Sequence, residues 1–186
     1  MAVAATLSDS SIRQLAVQIA GSVKWTFGTL SPSSVELGET FELWYLDGIV
    51  NEADTQFAER VRFDHRFHHQ VIADGVPAGF VVSRQAVQTG QLSALRVVPT
   101  TVAADIDRAI DRVEAAAAPN DTVCLLIAPA YQVTALWIKN DSHPLLYVVS
   151  APPFFRELQR STFLSPAEFI AQLAREQAGL DLDNRR

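Results

Sequence analysis

The chain is expected to fold as α+β: a mainly antiparallel β-sheet with three α-helices packed on it, forming a single domain over residues 1–186. Two patterns predict this class. Three segments repeat their apolar residues at helical spacing, and the strand-like runs between them are joined mostly by short turns rather than by helices. A third observation bounds it: 48% of the residues are hydrophobic and 19% charged, enough to build a substantial core and too apolar for a disordered chain.

Taken in order, Ile12, Leu15, Ala16, Ile19, Ala20 and Val23 recur at steps of three and four, and Ser8, Asp9 or Ser10 can cap the helix they imply. KWTFGT then shifts toward a period of two and reads as a strand. A second strand follows the turn SPSS, with Phe41, Leu43 and Tyr45 alternating with Glu42 and Trp44. Asn51 to Ala58 suits a short helical turn. Two β-like runs flank ADGVPAG, whose Asp-Gly pair signals a hairpin. QLSALRVVP supplies another strand, and Thr100 or Thr101 caps a helix with Ile106, Ile110, Val113 and Ala117 on one stripe and Asp107, Arg108, Asp111, Arg112 and Glu114 opposite. DTVCLLIAPAYQVTALWI, broken by Pro129, and LLYVVSAPP read as further strands. In Leu164-Ser165-Pro166-Ala167-Glu168-Phe169, Ser caps, Pro starts and Glu closes a capping box, while Leu164 and Phe169 form a hydrophobic staple. That last helix is expected to stop at Gly179, and residues 1–7 and 181–186 are expected to fray.

FDHRFHHQ, residues 63–70, holds three of the four histidines. As a helix it would place His65, His68 and His69 on one face, at spacing suited to a metal. As a strand it sends Val61, Phe63, His65, Phe67, His69 and Val71 to one side and His68 to the other, with His65 and His69 about 13 Å apart, too far to share an ion. The apolar alternation and the hairpin signal downstream favour the strand, so no metal site is expected. His65 and His69, on an otherwise apolar face, suggest an interface that loosens below about pH 6.

Other chemistry is sparse. The sequence contains no G-x-S-x-G elbow, no H-E-x-x-H, no phosphate loop and no dinucleotide fingerprint, so no catalytic residue and no cofactor are assigned. The lone Cys124 lies in VCLLI, a setting that buries a thiol rather than activating it. A net charge of -6 and the lack of any basic stripe argue against nucleic acid. The N-terminus lacks a signal peptide's basic region, and no apolar run reaches the roughly 18 residues of a membrane span, so no membrane insertion and a cytoplasmic location are expected.

The aromatics stand out instead. Trp44 and Tyr45 are adjacent on one strand, Tyr131 and Trp137 lie in one apolar run, and Phe154 and Phe155 follow two prolines. Adjacent side chains on a strand point to opposite faces, so each pair needs two covers, one of which can be a partner. The expectation is a non-enzymatic interaction or assembly module, with a protein partner or homo-oligomer meeting an apolar sheet face or the PPFF loop. Its candidate binding residues are Trp44, Tyr45, His65, His69, Tyr131, Trp137, Phe154 and Phe155. The alternatives are a small-ligand-binding domain with an apolar pocket, or an enzyme of unrecognised type centred on Asp64, His65 and His69.

Overall fold

One continuous sheet organises the chain. The computed structural model describes residues 7, 9–26, 34–51, 56–99, 102–158 and 162–183. The elements are α1 (Asp9–Thr26), β1 (Val35–Leu46), α2 (Phe57–Arg60), β2 (Val61–Ala73), β3 (Val76–Gln85), β4 (Leu92–Pro99), α3 (Val102–Ala116), β5 (Thr122–Ala128), β6 (Val133–Lys139), β7 (Leu145–Ser150), β8 (Phe163–Leu164) and α4 (Pro166–Asp183). The eight strands lie in the order β4-β3-β2-β1-β5-β6-β7-β8. Every neighbouring pair is antiparallel except β1 and β5, which run parallel. The class is therefore α+β as expected, with four helices rather than three: the fourth is the single turn α2.

Several boundaries differ from expectation. Lys24–Thr26 continue α1 instead of opening a strand. Capping of α3 by Thr100 or Thr101 falls outside the described residues. α4 passes through Gly179 to Asp183, so 181–183 are helical rather than frayed. A glycine can sit in a helix when the flanking residues sustain the backbone ladder, and at about 1 kcal/mol its cost is offset by packing elsewhere along α4.

The hairpin follows its sequence closely. Asp74 and Gly75 both have positive φ, 50° and 78°, between Ala73 and Val76, which pair with each other. Two residues in this conformation match the right-handed strand twist, and Asp-Gly tolerates it best. The Asp74 carboxylate also accepts from the Ser34 backbone N–H at 3.0 Å, holding the start of β1 against the turn.

Helices cover both faces of the sheet. On one, Ile106, Ala109 and Val113 of α3 bury Phe41, Leu43, Val82, Val123, Leu125, Leu136 and Ile138. On the other, Leu15 and Ile19 of α1 cover Phe67, Val71 and Val81, while Phe169, Ile170, Leu173 and Ala174 of α4 join Cys124, Leu126, Trp137 and Leu146. Phe169 and Leu173 are fully buried, and each such side chain contributes about 1.5–3 kcal/mol. The helix is set in place by the expected capping box: the Ser165 N–H donates to Glu168 Oε2 at 2.7 Å and the Glu168 N–H donates to Ser165 Oγ at 3.3 Å.

Candidate functional site

The parallel pair decides where loops gather. β1 and β5 end side by side, β6 starts and β7 ends beside them, so the segments 47–51, 129–132 and 151–158 emerge from one end of the sheet. Tyr131 ties the first two together: its hydroxyl accepts from the Val50 N–H at 2.6 Å and donates to the Val50 carbonyl at 3.4 Å. Its ring lies 6.3 Å from that of Phe155, which in turn meets Phe154 edge-on at 5.0 Å. The Phe155 N–H closes a turn onto the Pro152 carbonyl at 2.9 Å.

This chain of contacts holds an apolar rim in place. Phe155 and Tyr131 are buried and act as its floor, whereas Phe154 is 52% and Ile49 64% exposed, beside exposed Pro129, Ala130 and Pro153. Singly exposed apolar residues are ordinary, but exposed aliphatic and aromatic side chains on loops fixed by a buried aromatic floor make a pre-ordered contact surface. Exposed groups of both signs, Asp47, Arg156 and Glu157, lie in the same loops.

The structure thus brings Tyr131, Phe154 and Phe155 of the sequence-derived set to the rim, places Trp137 in the buried cluster that includes Tyr131 and Phe155 with Trp44 packed against it, and leaves Tyr45, His65 and His69 elsewhere. Ile49 and Pro129 were missed; the signal for Ile49 was present in DGI, a strand-ending glycine followed by an aliphatic residue. Trp44 and Trp137 do meet, edge-on at 5.4 Å, but on the sheet face shared with α4, with Phe57 also against Trp137 and Phe63 stacked on Trp44. Trp44 donates to Glu42 Oε2 at 2.9 Å, and the Lys139 ammonium sits 4.1 Å from the Trp44 ring centre. Tyr45, on the opposite face, is flanked by Arg62 and Arg66.

The histidine segment is a strand, as expected, but its alternation is broken. The register of β1 and β2 shifts between Glu42/Phe67 and Trp44/Phe63, leaving Asp64, His65 and Arg66 opposite Leu43 alone. His65 absorbs the bulge at φ 49° and is exposed, its ring 5.1 Å from that of Phe63, rather than half-buried as an alternating strand residue would be. Asp64 pairs with Arg66 and Arg84. His69 is fully buried, its Nδ1 bonded to Thr40 Oγ1 at 3.0 Å and its Nε2 to Ser83 Oγ at 2.6 Å. A Ser-His pair sealed under α1 cannot meet a substrate, and Asp64, His65 and His69 share no site.

His68 points to the α3 face, stacked on Phe80 at 4.5 Å with its Nε2 unpaired. Burial lowers the pKa of His68 to about 3, with the neighbouring His69 adding to the effect, and burial lowers that of His69 to about 4. Burial, with Glu42 nearby, pushes the Cys124 thiol well above its ordinary acidity range. Both histidines are neutral at any ordinary pH. Among the described residues no group of three or more His, Cys, Asp or Glu side chains could hold a metal ion, and no helix is long and apolar enough to cross a membrane. No family model, no curated protein and no solved structure matches the chain.

Proposed function

We propose that the protein is a non-enzymatic assembly module that pairs with a second copy of itself through the Ile49, Pro129 and Phe154 rim. The observation that carries this reading is Phe154, half exposed on a buried Phe155-Tyr131 floor at the end of the only parallel strand pair among the described residues. An aromatic side chain held in place before contact loses little freedom on docking and is the usual anchor of an interface. Arg156 and Asp47 carry opposite charges in these loops, although Asp47 is already paired with Arg62 at 2.8 Å, so a two-fold axis through the rim lets Arg156 of one copy approach the Asp47-Arg62 pair of the other. Helices fill both sheet faces, which moves the proposed surface from an apolar sheet face to the PPFF loop and its neighbours.

Sedimentation velocity across a concentration series tests the proposal. The wild type is expected to form a dimer, and Phe154→Asp to weaken it about thirtyfold, the equivalent of about 2 kcal/mol at an interface anchor, while the two proteins melt at similar temperatures at concentrations where both are monomeric, because residue 154 is half exposed. A wild type that stays monomeric at millimolar concentration, or a dimer indifferent to Phe154→Asp, overturns it.

A further inference from the structure

A cleft of about 230 Å³ opens between α3 and β7, lined by Asp105, Arg108, Ala109 and Arg112 of the helix and Tyr147, Val148 and Val149 of the strand, none of them a rim residue. Its polar lining is two guanidinium groups, a phenol and one carboxylate. Arg112 Nη1 donates to the Tyr147 hydroxyl at 2.7 Å, with the guanidinium leaning over the ring. Tyr147 is 94% buried, being 6% exposed, and its oxygen has already accepted from Arg112. A phenol that accepts still carries its own hydrogen, and no described acceptor takes it. Arg112 has no carboxylate within ion-pair distance among the described residues. Arg108 is paired with Asp105 at the mouth and is largely exposed.

Arg112 and Tyr147 therefore present only donors to the cleft, and a guanidinium beside a free phenol hydrogen is arranged for an oxygen acceptor with negative charge. Val149 and Ala109 add apolar wall, and the volume is below that of a typical drug-sized pocket. We propose that this cleft binds the oxyanion of a small molecule, a carboxylate or a phosphate group, against the hydrogen-bonded Arg112-Tyr147 pair, which offers it the remaining guanidinium N–H groups and the phenol hydrogen, with Asp105 restraining Arg108 from joining them until an anion competes for it.

The test is a titration of the full chain followed in NMR by the side-chain Nε–Hε signal of Arg112 and by the backbone amide signals of Val148 and Val149, which remain readable in every variant, with sodium phosphate and sodium acetate as separate probes and sodium chloride holding ionic strength constant. A saturable shift with phosphate assigns the phosphate class, and one with acetate alone assigns the carboxylate class; either supports the site. Arg112→Gln should then abolish saturation, Tyr147→Phe should weaken binding about tenfold, and Asp105→Asn should strengthen it severalfold by releasing Arg108. Arg112 and Asp105 are not core residues, so these two variants should fold normally and keep the measurement interpretable if Tyr147→Phe does not. Shifts that follow chloride as well as either probe, or saturation that survives both Arg112→Gln and Tyr147→Phe, overturn the proposal.

Discussion

Lowering the pH should destabilise this protein through two adjacent histidines, and the size of the effect follows from their burial. His68 and His69 have folded pKa values of about 3 and about 4, against 6.5 for the unfolded side chain. A depressed histidine pKa means that the unfolded chain binds the proton and the native chain does not. The stabilisation is thus complete above about pH 6.5 and is lost as the pH falls toward the folded values. At pH 5 the unfolded histidines are almost fully charged and the native ones neutral, so each costs about 1.5 units at 1.36 kcal/mol, or about 2 kcal/mol. The pair costs about 4 kcal/mol relative to pH 8, much of the 5–15 kcal/mol available to a typical domain.

Guanidinium unfolding followed by tryptophan fluorescence at pH 8, 6.5, 5.5 and 5 measures it. The stability should fall with a slope approaching about 2.7 kcal/mol per pH unit below 6, the value for two protons. His68→Leu, which fills the slot beside Phe41 and Phe80 with an apolar group of similar size, should halve that slope. A flat profile from pH 7 to 5, or a slope unaltered in His68→Leu, would refute the sealing argument. The same burial removes His69 as a switch, and His65 lies on β2 outside the rim loops, so dimerisation should be equal at pH 7.5 and 6.2.

Two further outcomes follow from local contacts. Ser165→Ala should lower stability by about 1 kcal/mol in the same unfolding assay, because it deletes the side-chain half of the α4 capping box; the Ser165 bonds hold the Glu168 carboxyl below its usual range, so this contribution should fade only on strong acidification. Cys124 should resist Ellman's reagent at pH 8 in native protein and react stoichiometrically in denaturant; native labelling at the rate of a free thiol would contradict its burial.

What the sequence revealed was whatever local physics dictates. The α4 start was readable because Ser165, Pro166, Glu168 and the Leu164-Phe169 staple all act within six residues, and the β2–β3 turn because Asp74-Gly75 satisfies a single backbone conformation. Composition could not place the β2 bulge at His65, since nothing in DHR distinguishes an alternating strand from one that gains residues against its neighbour. Nor could KWT announce its helix: β-branched and aromatic residues disfavour helix locally, and the continuation of α1 overrides that preference. Among the aromatics, the Trp44-Trp137 contact depends on strands distant in sequence, for which the apolar pattern holds no address.

The largest gap was topological, and it bears on both proposed surfaces. A chain reading of successive turns implies antiparallel neighbours, yet β1 pairs with β5 in parallel because the excursion through β2, β3, β4 and α3 returns the chain to the free side of β1. That return lays α3 across the face of β7 and creates the Arg112-Tyr147 cleft, two residues 35 apart in sequence that no motif links. It also brings the ends of β1 and β5 together, so that Ile49 and Pro129 leave the sheet side by side and Tyr131 can clamp Val50. The two surfaces arise from one crossover but share no residue. Phe154→Asp should consequently leave the Arg112 titration unchanged, and Arg112→Gln should leave sedimentation unchanged; cross-effects in both directions would mean that α3 and the rim loops move as one unit, and that neither site can be assigned from its own contacts alone.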